Sequence, residues 1–113
     1  MDRKWPHSYY VTPMLYLKRF QEAKSVLRKS IPVAQRVLGK SHYLTLAMKN
    51  NYANTLYRFD GATLDDLREA VTTLEETERI ARRVLGCAHP SAVEIGRALG
   101  LSREALRARE GTA

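Results

Sequence analysis

The residues of this chain whose types suit chemistry are its histidines, its single cysteine and a few close carboxylates. His42 and His89 are the first metal candidates, but they stand 47 residues apart. Neither has a Cys or a carboxylate at zinc-ligand spacing. Both occupy the same place in a repeated phrase, which assigns them to hydrogen bonds with nearby backbone. Cys87 has no partner for nucleophilic catalysis, although Arg83, four residues before it, is placed to lower its pKa. Asp65-Asp66 and Glu75-Glu76 are neighbours in sequence, so on a helix their members point to different parts of the surface. They read as solvated charge and not as a general acid–base pair. No glycine-rich phosphate loop is present. What remains is recognition. Asn50, Asn51, Asn54 and Arg58 share one segment with Tyr57, and Arg97 follows in the next. A carboxamide both donates and accepts, so three of them can hold a peptide backbone whatever its sequence. Arg58 and Arg97 add a forked donor for a carboxylate or phosphate. No enzymatic activity, no metal and no cofactor is expected.

The elements that must hold these residues are written twice. Residues 36–46 read RVLGKSHYLTL, and residues 83–93 read RVLGCAHPSAV. Aligned in full, 20–39 and 67–86 agree at eight of twenty positions, and His42/His89 continues the match. Chance gives about one or two agreements from composition. Repetition on this scale marks stacked supersecondary units.

Within each copy the apolar spacing is helical. Phe20, Ala23, Leu27, Ile31, Ala34, Val37 and Leu38 recur at steps of three and four. Leu67, Ala70, Val71, Leu74, Ala81, Val84 and Leu85 do the same, interrupted by Glu78. Gly39 and Gly86 follow the last apolar turns, where a left-handed residue is needed. Thr63 with Asp66 predicts an N-cap and a capping box. Helices are expected near 19–38, 43–58, 64–85 and 91–109, consecutive ones antiparallel. On 43–58 the expected buried stripe is Leu44, Met48, Tyr52 and Leu56, with Phe59 beyond its end. The Asn row is expected on the opposite face. Pro32 predicts a kink, Pro13 predicts damage to a short first helix carrying Tyr9 and Tyr16, and Pro90 suits a first turn. Tyr10 pairs with Tyr52 and Met14 with Leu56 at an offset of 42, so the second unit carries five extra residues near Asp60–Leu64.

At 113 residues the chain makes one domain, divided as 1–39, 40–86 and 87–113. A net charge of +7 allows RNA or another polyanion as a partner, but the Arg and Lys residues are scattered and form no long block. No apolar run is long enough for a membrane span, and the opening MDRKWPHSYYV is unlike a signal peptide. One cysteine excludes a disulfide framework. A cytoplasmic or nuclear location follows as the expectation.

Leu38-Gly39-Lys40-Ser41-His42 followed by Asn50-Asn51-Tyr52-Ala53 resembles the signature of kinesin-light-chain-type tetratricopeptide repeats. Leu85-Gly86-Cys87-Ala88-His89-Pro90 matches its first part more closely. The resemblance covers about residues 8–110. It implies an all-α, right-handed α-solenoid of antiparallel helical hairpins, about two and a half repeats long. It also implies a concave groove, lined by the first helices of successive units, that holds a peptide. Tyr43 stands where a proline is usual, and Arg97-Ala98-Leu99-Gly100 stands where an Asn pair is usual. Nothing resembles the segment by which a kinesin light chain joins its motor.

The sequence thus reads as a protein–protein interaction module whose peptide-binding residues are Asn50, Asn51, Asn54, Arg58 and Arg97. The partner is a protein or peptide with acidic character, and no membrane is involved. RNA binding is the rival reading. A third is a C-terminal cap of a longer array, completed by further repeats upstream or by a second chain, with the Arg-rich helix 91–110 facing solvent.

Overall fold

The structure, a computed structural model, describes the backbone of residues 13–58 and 61–112 and the side chains of 19–58 and 61–111. Its elements are α1 (Pro13–Val37), α2 (Tyr43–Tyr57), α3 (Leu64–Leu85) and α4 (Pro90–Thr112). No strand occurs among the described residues.

The repeated phrase folds twice into one turn. Gly39 and Gly86 have φ of 99° and 98°, a conformation that costs a side-chain-bearing residue energy. His42 N–H donates to Gly39 O at 3.4 Å, and His89 N–H donates to Gly86 O at 3.2 Å. Each imidazole Nδ1 then accepts the backbone N–H two residues on, from Leu44 and from Ser91, both at 3.1 Å. The two histidines therefore cap the starts of α2 and α4, satisfying donors that a helix leaves open. α3 begins with the capping box expected of Thr63 and Asp66, both of its hydrogen bonds measuring 3.0 Å.

Pro13 is the first residue of α1, where its missing N–H is harmless, and it does not damage that helix. Residues 13–37 form one continuous helix through Pro32, so no separate short helix precedes residue 19 among the described residues. Tyr9, Tyr10, Phe59 and the side chains of Met14 and Tyr16 lie outside the described residues.

Each helix packs on the next, and α2 also touches α4. Arg103 of α4 reaches Glu75 of α3 at 3.0 Å, while Arg109 near the end of α4 reaches the Ala62 carbonyl just before α3 at 2.6 Å. Residue numbers rise on one helix as they fall on the other, so α3 and α4 are antiparallel. At Gly96 the Glu78 carboxylate of α3 lies over α4: a Cβ there would be 2.8 Å from Glu78 Oε2, the movable end of that side chain. Arg103 and Arg109 thus fasten α4 to α3 and to the residue just before it, while both side chains stay exposed.

The core is built from Leu46, Tyr52, Ala53 and Leu56 of α2, Ala70, Leu74, Ile80 and Ala81 of α3, and Ala92, Ile95, Ala98 and Leu99 of α4. The expected stripe on α2 was turned too far to one side. Leu44 is 45% exposed and Met48 half-buried, whereas Thr45, Leu46, Lys49 and Asn50 are buried. The reason is that α2 meets α1, α3 and α4 together, so its buried arc is wider than one amphipathic stripe. On α1 the opposite holds. Val26, Val33 and Val37 are 61%, 47% and 72% exposed, because among the described residues α1 packs closely along α2 and makes few contacts elsewhere.

Candidate functional site: a polar groove between α2 and α4

Two adjoining cavities, of about 350 and 150 Å³, lie between α2 and α4. Asn50, Asn54, Arg58 and Glu94 line both. Asn51 lines the larger one with Tyr43, Ala47 and Ser91, and Arg97 lines the smaller one with Tyr57 and Leu101. The five residues singled out from the sequence thus border one continuous polar groove. Asn50, Asn54 and Arg58 stack on α2 at intervals of four, one helical turn apart. Arg97 stands 47 residues after Asn50, the offset of the repeated phrase, and α4 carries it to the same groove.

Asn50 departs from the expectation of an open polar face. It is 9% exposed, and its Oδ1 is buried without a hydrogen-bond partner in the protein. Such an acceptor loses its hydration and gains nothing in exchange, at a cost of about 1–3 kcal/mol. Asn54 is half-buried, while Asn51 and Arg58 are exposed. Thr45 Oγ1 is also buried without a partner, but it lines neither cavity, and the structure offers no account of it.

The charges of the groove are uncommitted. Among the described residues, Arg58, Arg97 and Glu94 join no ion pair, although Arg58 and Glu94 border the same two cavities. Elsewhere arginines are tied down: Arg28 to Glu69, Arg68 to Asp65 and Glu110, and Arg103 to Glu75. Burial raises the pKa of Tyr57, against the opposing effect of Arg58, so this phenol stays neutral and can donate or accept at the smaller cavity.

Glu94 was missed in the sequence. Its one available signal was its position three residues before Arg97, which puts both on the same side of a helix. Also missed was a polar link across three helices behind the groove. Arg28 of α1 donates to the Tyr52 hydroxyl from Nη2 at 2.7 Å and from Nε at 3.1 Å, and its guanidinium lies over the ring. Tyr52 in turn donates to Glu69 of α3 at 2.5 Å. Burial, and then the bond to Glu69, raises the Tyr52 pKa. The repetition of Glu22 as Glu69 was the sequence signal that this position had a job.

The remaining chemical candidates are accounted for by local structure. Both histidines are caps. The cysteine's neighbour is Arg82 and not Arg83: Arg82 Nε donates to Cys87 Sγ at 3.4 Å, and this contact raises the Arg82 pKa. Glu75 is bound to Arg103 instead of merely solvated. Among the described residues no three metal-ligating side chains come together, and no helix is long and apolar enough to cross a membrane. Compared with known proteins, the chain matches no family model, no curated protein and no solved structure.

Proposed function

We propose that this chain is a protein–protein interaction module of the tetratricopeptide type, and that it captures an extended segment of a partner along the α2–α4 groove. The observation that carries the reading is the row of Asn50, Asn54 and Arg58, one helical turn apart on α2 and lining both cavities. Carboxamides in such a row can donate to and accept from a peptide backbone. Four residues of helix rise about 6 Å, and two residues of an extended chain span about 6.6 Å. Alternate residues of a bound strand therefore keep step with Asn50, Asn54 and Arg58. Asn51 extends the row, and Arg58 with Arg97 receives an acidic side chain through charge-assisted bonds.

The exposed valines of α1 favour a second element of the same reading, namely that α1 is covered by further repeats upstream or by a second chain. A short groove binds weakly by itself, and added units lengthen it.

The test is selection of peptides from a displayed library on the intact chain, followed by titration against the wild type and an Asn54→Ala/Arg58→Ala double variant. Loss of at least tenfold in affinity with an unchanged Tm supports the groove. Equal affinity refutes it. Repeating the titration with single-stranded RNA over a range of salt tests the rival class. An affinity for RNA that exceeds that for any peptide, and falls steeply with salt, places the basic surface ahead of the Asn row.

A further inference from the structure

A second cleft, of about 280 Å³, opens on the other side of α2, between α1, α2 and α3. It shares no lining residue with the groove. One part of its wall is Arg28, Tyr52 and Glu69, whose charges and hydroxyl satisfy one another. The rest is different. Lys49, Glu76, Gln35 and Thr73 line the same cleft, and among the described residues none of their side-chain polar atoms has a partner. Lys49 is 6% exposed. Its stem is packed into the protein, so its ammonium has a fixed position before anything binds. A fixed charge holds a ligand without the ordering cost that a flexible surface lysine incurs on binding.

Lys49 and Glu76 face one cleft with opposite charges, yet no ion pair joins them. We propose that this cleft binds a small zwitterion of the amino-acid class, its carboxylate on Lys49 and its ammonium on Glu76. Gln35 and Thr73 supply neutral hydrogen bonds to either end. Ile31 and Pro32 form an apolar wall that suits an uncharged, aliphatic or aromatic side chain. A simple anion fits less well, because Glu76 repels it, and a simple cation is repelled by Lys49. Volume sets the size, since ligand pockets begin at about 300 Å³ and this cleft lies at that edge. A single amino acid suits it, and a folded partner does not. The site is independent of the groove, so either reading can fail without the other.

The experiment is nuclear magnetic resonance titration of the intact, isotopically labelled chain with valine, leucine, methionine and phenylalanine. The leucine series is repeated with leucinamide, which lacks the carboxylate, and with N-acetylleucine, which lacks the ammonium. The expected result is saturable shifts in α1, α2 and α3 around Lys49 with at least one of the four amino acids. Each blocked analogue should bind at least tenfold more weakly than leucine. Lys49→Met keeps the packed stem and should lose binding by at least tenfold, as should Glu76→Gln. Because Glu76 is exposed, the second variant keeps the test valid if the first does not fold. The proposal is overturned if none of the four amino acids shifts these resonances, if N-acetylleucine binds as tightly as leucine, or if Glu76→Gln leaves affinity unchanged.

Discussion

Replacing Asn50 by Leu should make the protein more stable and less able to bind. Asn50 is buried, with Oδ1 unpartnered, so the free protein bears the desolvation of an amide oxygen without a compensating bond. Removing that orphan recovers part of about 1–3 kcal/mol. Leu is also the better helix former, by a few tenths of a kcal/mol in mid-helix. Against this stands imperfect packing of two methyl groups where an amide stood, at about 1 kcal/mol. The balance is a gain of about 1 kcal/mol, which for a domain of this size raises Tm by roughly 4–8 °C. Urea denaturation and thermal melting followed by circular dichroism measure it. If the proposed function holds, loss of binding to a selected peptide should accompany the gain, because a substitution that relieves a polar residue of the groove removes a binding group along with its cost. A variant destabilised by more than 1 kcal/mol would refute the reasoning, because it would mean that Asn50 is already satisfied in the free protein.

Three further outcomes are expected. Leu74→Ala removes a side chain that is 0% exposed and should cost about 2–5 kcal/mol in urea titration, against less than 0.5 kcal/mol for Thr72→Ala on the exposed side. Glu75 is a poor control, since its bond to Arg103 adds a pair worth up to about 1 kcal/mol. Tyr52→Phe should cost about 1–2 kcal/mol at neutral pH by breaking the link from Arg28 to Glu69. Tyr52 has a folded pKa above its ordinary 10.0, so its contribution is complete below that value and is lost as pH rises through the folded pKa. Denaturation at rising pH should therefore weaken the wild type more than Tyr52→Phe above about pH 10. Gly86→Ala, at φ 98°, should destabilise by about 1 kcal/mol or more through the turn alone, and Gly39→Ala similarly, both read by thermal melting.

Helix positions were legible because they rest on local signals. The three-and-four spacing, the paired glycines and the Thr63–Asp66 box each act within a few residues, and α3 runs over 64–85 as the spacing predicts. Faces were legible only where a helix has one buried side. On α3 the stripe through Leu67, Ala70, Leu74 and Ala81 is buried. On α2, contact with three other helices buried Thr45, Lys49 and Asn50, which no single-stripe pattern assigns to the interior. That Asn50, Asn54 and Arg58 share a side was legible from their spacing of four on one helix, and Arg97 could be placed beside them from its position 47 residues after Asn50 in the repeat. Glu94 and Lys49 could not, since a lone charge on a helix gives no sign of which neighbour it will face. The depth of Asn50 is a tertiary fact of the same kind.

The central claim is that a partner segment lies in the α2–α4 groove with its backbone on Asn50. Amide-proton and side-chain shifts of the intact, isotopically labelled chain, followed during titration with a selected peptide, test it most directly. The side-chain carboxamide of Asn50 should shift most, together with Asn51, Asn54, Arg58 and Arg97, while residues of the α1–α2–α3 cleft stay still. Shifts confined to the exposed valines of α1, or spread over the scattered basic residues with the Asn50 signal unmoved, would contradict it.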